Sequence, residues 1–255
     1  MNRALAFILA GWIAFVPSLA LADGVSVPGV PTIGVSGAAV QFPPQSGGGG
    51  PVAIDNAATP VHNTTGGTQT VSASGFTVGS GAHRYMLVQI VTSIAFTTDT
   101  ISCNWNNGSA QNFSTTPITI SASKKTVMMG LVAPNSGTGT VTCSWNVSYF
   151  ADFYFEVITF TGVNQSSPVV VATPSTGTGT AVSLSVPVSS SNDMAVDCAH
   201  NTGGDTLTTP TQTSFWNGVY GGSSHGTGSS SVLFGWTAQY SGDTWEDLGV
   251  DLVAG

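Results

Sequence analysis

From Val52 onward the chain is a succession of short runs in which apolar and polar residues alternate, each stopped by Gly, Pro or Asn, and no stretch keeps a helical period of useful length. Val71 to Val78 is one such run, closed by Gly79-Ser80-Gly81. In the next, Ile101, Cys103 and Trp105 alternate with Ser102, Asn104 and Asn106 before an Asn106-Asn107-Gly108 turn. Further runs follow at Val127 to Val132, Val141 to Trp145, Phe153 to Val163, Val182 to Val186, Met194 to Cys198, Val232 to Trp236 and Leu248 to Leu252. Period-two patterning of this kind leaves one face of each strand for a core and the other for water. The predicted fold class is therefore all-β: an antiparallel two-sheet sandwich of about ten strands. A jelly-roll-like arrangement is preferred to an immunoglobulin-like one, which uses about seven to nine.

One run departs from clean alternation. Ala82 to Ser93, AHRYMLVQIVTS, places Met86, Val88 and Ile90 on one face and Tyr85, Leu87, Gln89 and Val91 on the other. It is too short to cross a membrane as a helix, so it reads as a central strand, covered fully on one side and partly on the other. Phe153 to Val163 carries an awkward residue: if Tyr154, Ile158 and Phe160 point inward, so does Glu156, and a buried carboxylate is costly unless paired or protonated. The expectation is that Glu156 sits at the mouth of the sandwich. Asp197 is expected to point outward, and Asp243, Glu246, Asp247 and Asp251 to form a solvated acidic edge rather than a calcium site, since their spacing matches no EF-hand loop.

Residues Met1 to Ala22 have the layout of a secretory signal, with Arg3, an apolar run from Leu5 to Val16, and Ala20-Leu21-Ala22 before Asp23. The expected location is secreted, periplasmic or cell-surface, with no membrane insertion of the mature chain. Asp23 to Pro51 is too rich in Pro and Gly to close a core and reads as a linker or arm. Residues 52–255 then form one large β domain. Beyond Arg3 the basic residues are Arg84, Lys124 and Lys125, against twelve acidic ones, which argues against nucleic acid as a partner. Cys103-Asn104-Trp105 and Cys143-Ser144-Trp145 repeat one C-x-W step, so Cys103 with Cys143 is the preferred disulfide, the alternative being no bridge. No metal-ligand spacing is present, and no cofactor is expected.

The phrases AHRYMLVQIV (Ala82 to Val91), GLVAPNSGTGTVTCSW (Gly130 to Trp145), FTGVNQSSP (Phe160 to Pro168), NDMAVDCA (Asn192 to Ala199) and WTAQYSGDTWEDLGVDLV (Trp236 to Val253) appear in one order. Together they resemble a class of bacterial and phage-encoded secreted β-sandwich modules. The resemblance covers nearly all of the mature domain. It implies a non-catalytic extracellular, adhesin-type or virion-associated module and carries over no activity; the partner expected for such a module is a glycan or a cell-surface or virion component, the glycan being suggested by the aromatic residues of the chain. The chain departs from that pattern at Glu156 and in its two C-x-W cysteines.

Enzyme chemistry finds little support in the residues. No G-x-S-x-G elbow exists, and His62, His83, His200 and His225 sit in or beside turn-rich sequence, where exposed loop positions are expected. Asp152 and Glu156 would stand about 13 Å apart along one strand face, too far for a glycosidase pair. The alternative function, a glycan-active hydrolase using Glu156, would need an acid from another strand. A ligandless structural module is the third reading. The binding candidates are aromatic: Trp216, with Asn217 and Tyr220, lies in a loop-like SFWNGVYGG segment suited either to a sugar platform or to packing on a sheet edge, and Tyr149 and Phe150 lie in another. No catalytic residue is assigned.

Overall fold

A computed structural model describes residues 50–63, 70–93, 95, 101–114, 116–145 and 153–255. The signal-like segment, nearly all of the Pro/Gly arm, Tyr149, Phe150 and Asp152 lie outside them. The described chain is all strand and turn. Its first half contains β1 (Ala53–Ala57), β2 (Val61–Asn63), β3 (Thr70–Val78), β4 (Tyr85–Thr92), β5 (Ile101–Asn106), β6 (Ala110–Asn112), β7 (Thr119–Ile120), β8 (Thr126–Val132), β9 (Gly137–Trp145) and β10 (Phe153–Thr161). The second contains β11 (Val169–Val171), β12 (Ser175–Thr178), β13 (Ala181–Pro187), β14 (Met194–Asn201), β15 (Thr213–Gly218), β16 (Gly221–Gly226), β17 (Ser231–Thr237) and β18 (Thr244–Leu252).

The antiparallel sandwich class is as expected from the alternation, with more pieces: eighteen strands in four sheets among the described residues, where about ten in two were anticipated. The first outer sheet runs β3-β9-β5-β6, and the first inner sheet β1-β10-β4-β8-β7, with β2 also on β10. The second inner sheet runs β11-β18-β14-β16-β15, with β12 also on β18, and the second outer sheet is the pair β13-β17. Cores fill each gap. Met86, Val88 and Ile90 of β4 pack on Val71, Trp105 and Val141 of the first outer sheet. The other face of β4, Tyr85, Leu87 and Val91, packs on Val196, Leu248 and Val250 of the second inner sheet. Beyond that sheet, Ala195 meets Val186, Val232 and Phe234, and Ala199 meets Val182 and Trp236.

Four layers change what alternation means. Both inner sheets are covered on both faces, so every residue of β4 and of β14 is buried, polar ones included. The two faces read for Tyr85 to Val91 are the observed ones, and the second is covered completely. Asp197, expected outward, is fully buried because the pair β13-β17 lies over it. Glu156 is 1% exposed in the middle of β10, opposite Gln89, and not at a mouth.

The two halves share one plan. β4 lies between β10 and β8 as β14 lies between β18 and β16; β3 pairs β9 as β13 pairs β17; β1 and β2 flank β10 as β11 and β12 flank β18. Where β5 flanks β9, the segment through Thr208 and Thr211 bonds β17, with Thr208 N–H donating to Thr237 O at 2.9 Å and Thr211 N–H to Gly235 O at 3.0 Å. The described domain is a duplicated sandwich, joined inner sheet to inner sheet.

Candidate functional site

Where the two inner sheets meet at one end, the turn between β7 and β8 touches the start of β18. The turn is fixed locally: Lys124 takes φ 57, its N–H donates to Ser121 O at 2.9 Å, and Ser121 Oγ accepts the N–H groups of Lys125 and Thr126, each at 3.1 Å. This presents Ser123 to Glu246, whose carboxylate accepts the Ser123 N–H at 3.0 Å and the Ser123 hydroxyl. Charge-assisted bonds of this kind are stronger than neutral ones and hold the two sheets in register here.

A groove of about 380 Å³ opens beside this tie, lined by Ser123, Thr176, Thr178, Thr202, Thr244 and Glu246, with Trp245 and Gly177 at its wall. Register explains the lining. Thr178 stands opposite Thr244 and Thr176 opposite Glu246, so all four side chains share one face. Thr202 joins the row through its hydroxyl, 2.9 Å from that of Thr244. The four threonines are exposed. Gly177 sits over the Trp245 ring, where a Cβ would collide with the indole, so the ring stays tucked under β12 at 7% exposure. The groove thus offers aligned hydroxyls and a carboxylate, with no exposed aromatic face.

The residues singled out from the sequence are placed elsewhere. Trp216 is 7% exposed and stacks on Tyr154, ring centroids 4.9 Å apart; Tyr154 stacks in turn on His62 at 4.2 Å. Packing describes it, and its face is not offered to solvent. Asn217, the next residue along, points the opposite way, exposed, with its side-chain amide donating to Leu207 O at 3.3 Å. Tyr220 is half-buried at φ 71 in the β15–β16 turn, with its ring against Gly204. The segment expected to be loop is two strands, and Gly221 and Gly222 stay small because the Ala199 carbonyl with the Val91 side chain, and the Trp236 ring, respectively, occupy the room a Cβ would need. Cys103 and Cys143 are bonded across β5 and β9, while Cys198 is a free buried thiol.

Sequence reasoning missed the interior acids. Besides Glu156 and Asp197, Asp247 is fully buried and Asp251 is 1% exposed, so two members of the anticipated solvated edge are inside. Burial pushes Glu156 and Asp247 well above the usual carboxylate range, Asp197 up to about 7 and Asp251 up to about 6. His200, expected on an exposed loop, is fully buried in β14, and burial lowers it to about 3, so its imidazole is neutral. Among the described residues no cluster of His, Cys, Asp and Glu has a metal-holding arrangement, and no helix is long and apolar enough to cross a membrane. Compared with known proteins, the chain matches no family model, no curated protein and no solved structure.

Proposed function

We propose that this chain is an exported, non-catalytic β-sandwich module that binds or presents a surface on a cell or a virion, and that its groove takes a neutral, polyhydroxylated ligand of the glycan class. The observation that carries the reading is the row Thr176, Thr178, Thr244 and Thr202 beside Glu246, hydroxyls and a carboxylate aligned on one open face. Hydroxyls both donate and accept, and a carboxylate accepts from paired sugar hydroxyls, which is the complement a glycan needs. The low charge of the chain and its signal-like start agree with export, and the resemblance to secreted modules agrees with a binding role.

A glycan array run with the full chain, alongside a reducing-sugar release assay, tests this. Binding without release is expected, weakened tenfold or more in the double variant Thr176→Val and Thr244→Val. Release of sugar that is lost in Glu156→Gln would favour the hydrolase instead. Silence in both assays would leave the structural module.

A further inference from the structure

The shared plan of the two halves supplies an internal control for the buried acids. Tyr85 faces Phe160 across the first inner sheet as Met194 faces Leu252 across the second. Carried along these registers, Val88 corresponds to Asp197 and Phe155 to Asp247; through β8 and β16, Met129 corresponds to Ser224. In the first half the three positions are fully buried members of one apolar core. The fold therefore does not require carboxyls there, because Val, Phe and Met fill the same place in the same chain.

The two acids are unequally served. Asp197 accepts from the Ser224 N–H at 2.5 Å, the Ser224 hydroxyl at 2.8 Å and the Trp236 indole N–H at 2.7 Å. Neither oxygen of Asp247 has a hydrogen-bond partner. Among the described residues, the elements packed on this face bring nothing positive. β13 contributes Val182, Leu184 and Val186, and β17 contributes Val232, Phe234 and Trp236. β16 adds Gly222 and Ser224, and β12 adds no titratable group. The remaining charged groups on this side are acids: Asp251 beside Asp193 at one end of the strands, Asp205 with Asp243 at the other. Cys198 and His200 belong to the opposite face of β14.

We propose that Asp197 and Asp247 form an acid-closed latch: while Asp247 keeps its proton the pair β13-β17 stays sealed on the second inner sheet, and when that proton leaves for solvent, repulsion from Asp197 lets the outer pair lift. Burial, and for Asp247 the nearby Asp197 charge, raise both groups in the closed form. In the open form each reverts toward the ordinary value of about 3.9. The closed form thus binds more protons between those limits, its advantage is complete below about pH 4, and it declines as pH rises through the closed-state values.

Amide hydrogen exchange of the full chain from pH 4 to 8, corrected for the intrinsic pH dependence of exchange, reads the latch directly. Protection in β13 and β17 is expected to fall about tenfold per pH unit for each proton released on opening, while protection in β4 and β8 holds. Asp247→Asn removes one of the two protons released on opening and should cut the fall to the share of Asp197, which ends near pH 7; Asp247→Leu, following the apolar residue of the other half, should do the same and serves if the amide variant does not fold. Glu156→Gln should keep the wild-type slope in β13 and β17, separating the latch from the other buried carboxyl. Protection in β13 and β17 that is constant or rises with pH overturns the proposal, as does an unchanged slope in both Asp247 variants.

Discussion

Glu156 shows how much a single side chain's neighbourhood matters. It lies mid-strand between the two inner sheets, and burial lifts its carboxyl well above the ordinary range. A group bound more tightly to its proton in the folded state stabilises fully below the unfolded value near 4.3 and loses that advantage as pH rises through the folded one. Glu156→Gln should therefore raise stability at pH 7 to 8 relative to the native chain, by about 1.4 kcal/mol per pH unit of that window, and the gain should vanish near pH 4. Thermal melts across this range check it. Trp216→Ala should cost about 3–5 kcal/mol in denaturant titration, since it empties a stacked core position. Glycan binding by the folded fraction should be unaltered, because the ring lies outside the groove lining. The Cys103–Cys143 bridge closes a sequence separation of 40, for which chain entropy gives about 4 kcal/mol; reduction should lower the unfolding midpoint accordingly. That pairing was legible because the two C-x-W steps sit at matching inward positions of alternating strands. Asp197 was misread because one intervening residue between Val196 and Cys198 looks like a solvent position until a third layer is known.

At the scale of elements, strands rich in Val, Ile, Met and aromatics declared themselves, and those built from glycine and serine did not. β4 and β10 follow from their side chains alone. β16, GGSSHG, has no strand signature, yet four of its residues are buried, and its first two need to be glycine because the Ala199 carbonyl and Val91 crowd Gly221 and the Trp236 ring crowds Gly222. β12 is similar: Gly177 is required by the Trp245 ring, and the groove threonines flanking it read as a turn-rich stretch. Neither the groove nor its tie to Ser123 could be seen in advance, since both depend on pairing between segments more than 40 residues apart. Gly177→Ala should force the indole or β12 outward and cost about 1–3 kcal/mol, with a red-shifted tryptophan emission as its signature.

For the whole molecule, the all-β class was legible from period two, whereas the duplication was hidden. Equivalent strands such as TVMMGLV and GGSSHG share a place in the plan but hardly a residue, so no repeat stands out. The seam between the inner sheets is apolar over most of its area, with Leu87, Met128, Ile158, Val196, Leu248 and Val250 all fully buried. Fragments spanning 50–163 and 164–255 should consequently be insoluble or self-associated when made apart, and should recover a sharp melt when co-expressed, because each exposes a face that only the other covers.

In both halves the last strand to be made is an interior one: β10 slots between β4 and the β1–β2 pair, and β18 between β14 and the β11–β12 pair. Neither half can reach its native pairing until its own final segment has been synthesised, and the partners it joins are far apart along the chain. Acquisition of structure should be correspondingly unhurried, on the order of milliseconds to seconds after dilution from denaturant, leaving an interval in which a polypeptide leaving the ribosome still holds an unfinished sheet with its edges open.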